Sequence, residues 1–135
     1  KQIEQAAGCK LLSMIEVTLK EVQRRQWRKV GVLGLGNPMV YLKPLEDLNL
    51  GYETIAGELR AKLDGAIMRV MEGRNDAEST TIAREAIAAL RAKKVEGIIL
   101  GCTEIPLMLK EHANEADLVN PAELLAEATV RHALA

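Results

Sequence analysis

Apolar positions recur along this chain at two spacings, one helical and one strand-like. Ile15, Leu19 and Val22 fall on one face of a helix that runs to about Gln26. Ser13 stands before it and Glu16 three residues later, the spacing of a capping box. The apolar run from Val30 to Leu33 ends at Gly34 and Gly36 and predicts a short buried strand. Asn37-Pro38 then reads as a helix start, with Asn as cap and Pro in the first turn, for a helix that runs to about Leu48.

The alternation continues. Tyr52 to Ile55 reads as a second strand. Leu59, Leu63, Ile67 and Val70 form a helical stripe that ends at Gly73, and a further helix from about Ser79 to Ala92 turns Ile82, Ala86, Ile87 and Leu90 inward. Val95 to Leu100 is the most apolar strand and breaks at Gly101, before a short helix from about Ile105 to Glu111. Leu118-Val119 reads as a fourth strand, and Asn120-Pro121-Ala122-Glu123 opens the last helix with cap, Pro and capping-box Glu. Strands that alternate with helices predict an α/β fold, a parallel sheet of about four strands flanked by helices and joined by right-handed crossovers. In such sheets ligands bind at the carboxyl ends of the strands, which singles out Gly34 to Pro38 and Gly101 to Glu104.

Composition narrows the function classes. The 135 residues suffice for one domain with a core, and Lys+Arg 18 against Asp+Glu 19 leaves no basic excess. With no Phe, one Trp and two Tyr, the chain lacks the stacking platforms of nucleic-acid binders, so no nucleic-acid partner is expected. The cluster Arg24, Arg25, Arg28, Lys29 reads as the solvated end of a helix. No apolar run has the length of a membrane span and no signal peptide is visible. Cys9 and Cys102 make neither a disulfide framework nor a metal spacing, and His112 and His132 add no ligand pattern, so a reduced, cytoplasmic protein without metal is expected. The chain starts at Lys1 without Met, which suggests a piece of a longer protein.

The stretch Gly97-Ile98-Ile99-Leu100-Gly101-Cys102-Thr103-Glu104-Ile105-Pro106 carries the chemistry. A buried strand delivers a thiol, a hydroxyl and a carboxyl to the sheet edge, just where a helix begins. Backbone N–H groups at that start favour an anion, either a substrate carboxylate or a thiolate. Each residue also has a plainer reading: Cys102 as a small buried hydrophobe, Thr103 as a helix cap, Glu104 as a favourable first-turn acid.

Gly-Cys-Thr-Glu-Ile-Pro-Leu at 101–107, preceded by Ile-Ile-Leu, resembles the second cysteine motif of the aspartate/glutamate racemases. Lys29 to Gly34 resembles the strand that opens that family's second lobe, Gly8 to Thr18 the segment joining the lobes, and Ala126-Glu127-Ala128 its final helix. The resemblance implies two α/β lobes with the site between them and one cysteine from each, working without pyridoxal phosphate, other cofactor or metal. Cys102 would then be one of two acid/base thiols, activated as a preformed thiolate by helix-end dipoles. Glu104 would orient or tune it, and Thr103 would hold the substrate carboxylate. On this reading residues 1–13 connect from a missing N-terminal lobe, 14–120 form the second lobe, and 121–135 form a helix that packs back on the missing lobe. The partners implied are a small amino-acid or dicarboxylate substrate, that lobe, and a further copy of the chain through apolar surface left open.

The sequence also departs from the family. The first-lobe Cys-Asn-Thr string is absent, and Cys9 lies in the joining segment, where a structural role is expected. Leu35 and Pro38 stand where the family often carries threonines, and Asn37 is a candidate replacement for a lost hydroxyl in substrate binding. Asn120-Pro121-Ala122 stands where the last strand often ends in Asp and Thr. Gly34-Leu35-Gly36 matches a dinucleotide fingerprint only in part: Glu53 lies near the distance of its ribose-binding acid, but Met39 occupies the place of its third glycine. Three functions follow as expectations: part of an aspartate or glutamate racemase using two cysteines, a single-cysteine decarboxylase or isomerase of small dicarboxylates, or a non-catalytic ligand-binding remnant.

Overall fold

The computed structural model describes residues 2–135. In chain order the elements are α1 (Gln2–Ala7), α2 (Met14–Arg24), β1 (Lys29–Leu33), α3 (Met39–Asp47), β2 (Gly51–Glu53), α4 (Gly57–Met71), α5 (Ala77–Ala92), β3 (Gly97–Leu100), α6 (Glu104–Leu109), a 3-10 turn (Lys110–Asn114), β4 (Leu118–Val119) and α7 (Pro121–Leu134). The strands form one parallel sheet in the order β2-β1-β3-β4, as the α/β expectation required.

Strand parity sorts the core into two layers. Val30, Val32 and Ile99 face Leu19 and Val22 of α2 and Tyr41, Leu42 and Leu45 of α3. Leu33, Ile98 and Leu100 face the other way, into Leu63 and Ile67 of α4, Ala86 and Leu90 of α5, and Ile105 and Met108 of α6. Both central strands are therefore apolar on both faces, as parallel strands buried between helices must be.

Local chemistry sets most boundaries. Ser13 caps α2 by accepting the Glu16 N–H, and Asn120 caps α7 by accepting the Ala122 N–H with Pro121 in the first turn. Asp76 caps α5 through the Ser79 N–H, so that helix begins two residues before the expected Ser79. Asn37 does not cap α3. Pro38 occupies the cap position without a side-chain bond, and the Asn37 amide donates to Met39 Sδ at 3.3 Å. The second strand is Gly51–Glu53 rather than 52–55, because parallel register with Lys29, Val30 and Gly31 defines it.

The basic cluster is not simply a solvated helix end. Arg24 and Arg25 both clasp Glu21, whose carboxyl is pulled down to about 2, most strongly by the Arg24 hydrogen bond. Lys29 reaches Glu53 at 3.0 Å, and the Arg28 and Lys29 N–H groups both donate to Glu96. Cys9 is exposed after α1 and packs in no core, against the structural role expected of it. The six-residue α1 has no buried residue, and α7 lies along α2. Among the described residues no helix is long and apolar enough to cross a membrane.

Trp27 covers the start of β3. A Cβ at Gly97 would lie 2.1 Å from its ring, so the indole occupies the place of a side chain. Gly97→Ala is expected to destabilise the chain by about 1–3 kcal/mol, the usual range for overpacking. The check is the urea midpoint. Trp27→Leu in the same chain should recover part of the loss, since the two positions are in contact; an unchanged midpoint in Gly97→Ala would contradict the packing.

Candidate active site at the tips of the central strands

The chain leaves β1 for α3 on one side of the sheet and leaves β3 for α6 on the other. Neighbouring strands whose connections diverge in this way open a crevice at their carboxyl ends. Gly34 to Pro38 and Gly101 to Glu104 both lie at that crevice, as the sequence indicated.

Glycine makes the close approach possible. The Gly101 N–H donates to Leu33 O at 2.7 Å, which extends the β1–β3 pairing past the last strand residue. A Cβ on Gly101 would lie 2.7 Å from that oxygen and 3.0 Å from the Tyr41 ring. Tyr41 is 1% exposed, so the ring forms a fixed floor beneath the turn. Burial pushes its phenol up, while a hydrogen bond to Thr18 works the other way.

Cys102 follows at once and is half-buried, packed in part against the core cluster that holds Leu100 and Ile105. Its thiol donates to Glu104 Oε2 at 2.9 Å, and the Thr103 hydroxyl donates to the same oxygen at 3.0 Å. Thr103 is exposed and stands at the α6 cap position, but its hydroxyl makes no capping bond. Asn37 is also exposed, on the facing loop. Thus Cys102, Thr103 and Glu104 form one hydrogen-bonded group, and Asn37 is turned to Met39 instead.

The electrostatics overturn the expected preformed thiolate. Burial first, then the hydrogen bond to Glu104, push the Cys102 thiol up to about 11. The nearby backbone N–H groups of Glu104 and Leu35 favour the thiolate and oppose this without prevailing. Glu104 moves the other way. The bond from Cys102 holds its carboxyl below the usual range, the Thr103 hydroxyl adds to this, and burial opposes. At neutral pH the group is a thiol donating to a carboxylate, so Cys102 is poised as an acid. The N–H at the short α6 start favours the thiolate, but burial and the side-chain hydrogen bond to Glu104 outweigh it.

Two participants had no sequence signal: Tyr41 under the turn, and Asp64 of α4, whose Oδ1 accepts the Gly36 N–H at 2.8 Å. Among the described residues, no three His, Cys, Asp or Glu side chains are grouped to hold a metal ion. A groove of about 690 Å³ lies between α2, β4 and α7 and does not reach Cys102.

An α/β unit with a thiol–carboxylate pair at its sheet switch point defines the class. The family sequence profile described as Asp/Glu/Hydantoin racemase matches residues 1–129, and the chain belongs to that family. Solved structures agree. A candidate Asp/Glu racemase from Yersinia pestis superposes with a TM-score of 0.85 at 27% identity, over 98% of this chain and 60% of that one. An aspartate racemase homologue from Pyrococcus horikoshii OT3 gives 0.75 at 26% identity, over 94% of this chain and 57% of that one. The aspartate racemase of Picrophilus torridus shares the fold, with a TM-score of 0.65 at 20% identity over 93% of this chain and 53% of that one. The chain thus spans 60% or less of the length of each.

Because the Glu104 side chain raises the Cys102 pKa by both hydrogen bond and charge, Glu104→Gln is expected to lower it. Each unit of pKa is tenfold in thiolate fraction below the pKa. Alkylation of Cys102 by iodoacetamide at pH 8 should therefore quicken by about three- to tenfold. Peptide mass spectrometry reads this, with exposed Cys9 as the internal reference. A slower or unchanged rate would contradict the electrostatic assignment.

Proposed function

We propose that this chain is the second lobe of a cofactor-independent amino-acid racemase acting on aspartate or glutamate. The observation that carries the reading is the Cys102 thiol, half-buried at the β3 tip and 2.9 Å from Glu104. In one direction the thiol protonates the α-carbanion from its face of the substrate, while a thiolate of a first lobe has taken the proton from the other. In the reverse direction Cys102 must first lose its proton, and the Leu35 and Glu104 N–H groups stabilise the sulfur anion that results. Glu104 tunes the thiol, and Thr103 and Asn37 hold the substrate carboxylate. Residues 1–13 join the lobes and 121–135 close back on the first lobe. The exposed Leu35, Met39 and Val40 beside the crevice give that lobe an apolar seat.

The test is α-deuterium uptake from D2O by the full-length protein, offered each enantiomer of aspartate and glutamate. Uptake with racemisation is expected, and Cys102→Ala should lower the racemisation rate by about 10²–10⁴-fold, the range for a lost acid/base group. A folded, intact protein that exchanges none of the four would sink the reading. The 135-residue chain alone has one of the two required thiols and is expected to be inactive; racemisation by the purified chain would overturn the two-thiol account.

A second reading rests on the protonated state of Cys102 together with the apolar Leu35 and Pro38 on the facing loop. A single thiol that protonates one face suits decarboxylation or isomerisation of a small dicarboxylate. Turnover of malonates or maleate by the full-length protein, with no racemisation, is the result that would favour it.

A further inference from the structure

The hydrogen-bonded group at the β3 tip carries one charge, on Glu104, and that charge has no counter-ion in the chain. Both bonds to the carboxylate end on Oε2 and come from neutral donors, the Cys102 thiol at 2.9 Å and the Thr103 hydroxyl at 3.0 Å. They hold the carboxyl in its charged form although burial opposes it. The hydrogen-bonded carboxylates of Glu21, Glu53 and Asp117 face cations instead: Glu21 has Arg24 and Arg25, Glu53 has Lys29 and Lys93, and Asp117 has Arg91. Among the described residues no lysine, arginine or histidine pairs with Glu104, and no side chain donates to its Oε1. A partly buried carboxylate without a counter-charge gains most from a ligand that brings a cation.

We propose that Glu104 is the receptor for the ammonium group of the substrate. The proposal rests on the amino-acid reading above and deepens it. A carbon that exchanges a proton with Cys102 must lie about 3–3.5 Å from the sulfur. Its amino nitrogen is about 1.5 Å from that carbon, and the Glu104 carboxylate stands 2.9 Å from the same sulfur. Of the two charged groups on the α-carbon, Glu104 repels the carboxylate and attracts the ammonium, so the ammonium takes the side of Glu104 and its open Oε1. An ammonium has three donors and can also replace the Thr103 hydroxyl on this carboxylate. That frees the hydroxyl to turn to the substrate carboxylate. The positive charge close to the sulfur favours the thiolate, so the contact that selects an amino acid also eases the loss of the Cys102 proton. A dicarboxylate with no ammonium meets Glu104 as an uncompensated like charge.

The experiment is calorimetric titration of the full-length protein at pH 7 with aspartate and with malate, which carries a hydroxyl in place of the ammonium. Glutamate and 2-hydroxyglutarate form the second pair. Each ligand is used as the racemate, so that turnover leaves its composition unchanged. The wild type is expected to bind an amino acid about ten- to hundredfold tighter than its hydroxy acid, the worth of a hydrogen bond between charged groups. Glu104→Gln, with its fold checked by circular dichroism, should bring the two affinities within about threefold, chiefly by weakening the amino acid. Glu104→Ala takes its place, with the same expectation, if the Gln variant does not fold. A wild type that binds the hydroxy acid as well as the amino acid overturns the proposal, and so does a preference that survives in the variant. These are equilibrium measurements and separate the site from the reaction. If α-deuterium uptake fails while a Glu104-dependent preference appears, the ammonium site stands and the racemase reading falls. Uptake with a preference unaltered by the variant leaves that reading standing and removes the ammonium site. A wild type that binds neither amino acid overturns both.

Discussion

The hydrogen bond from the Gly101 N–H to Leu33 O, at 2.7 Å, is the constraint on which the site depends. It carries the β1–β3 pairing one step beyond the last strand residue, so that two connections diverging to opposite faces leave the sheet from a common point. A side chain at 101 would collide with the very oxygen that accepts this bond and with the buried Tyr41 ring. The turn is thus held from below by an aromatic ring and from the side by a neighbouring strand. Cys102 inherits its position from both, which is why a four-residue strand can hold the thiol at a defined place.

On that support the chemistry is a contest over one proton. Burial keeps the thiol protonated, and Glu104, near enough to take its hydrogen bond, adds to this. Two backbone N–H groups favour the opposite outcome. The balance lies with the thiol in this lobe by itself, yet both sets of partners are already in place. A substrate or a second lobe that changed the charge or hydration around Glu104 would move the proton without rebuilding the site. This arrangement suits a group that must act as acid in one direction of a reversible reaction and as base in the other.

The chain belongs to the Asp/Glu/hydantoin racemase family and spans 60% and 57% of the two relatives that superpose on it best among those described. On the proposed two-thiol reading Cys102 supplies one of the two groups that inversion at a carbon requires, and the relatives are substantially longer than this chain. The apolar side chains beside the crevice, Leu35, Met39 and Val40, are out of keeping with a water-facing rim and in keeping with a surface that is covered.

From α2 onward the apolar periodicity indicated the order of strands and helices, because side chains spaced for a strand or a helix can be buried in only one of those forms; α1 (Gln2–Ala7), with no buried residue, left no such mark. Caps read at Ser13 and Asn120 held because they involve neighbours within three residues. The Cys102, Thr103, Glu104 group was legible for the same reason: its members are adjacent in the chain. Asn37 as a cap failed because the helix starts one residue later, with Pro38 in the cap position. What tertiary structure alone decided involves distant partners. The ring of Tyr41 beneath Gly101, the anchoring of Gly36 by Asp64 and the exposure of Cys9 follow from how the helices pack on the sheet. So does the protonation state of Cys102. The sequence pointed to a helix start that stabilises a thiolate; burial against the sheet and the position of one carboxylate oxygen reversed that sign, and neither distance nor burial is written in the order of residues.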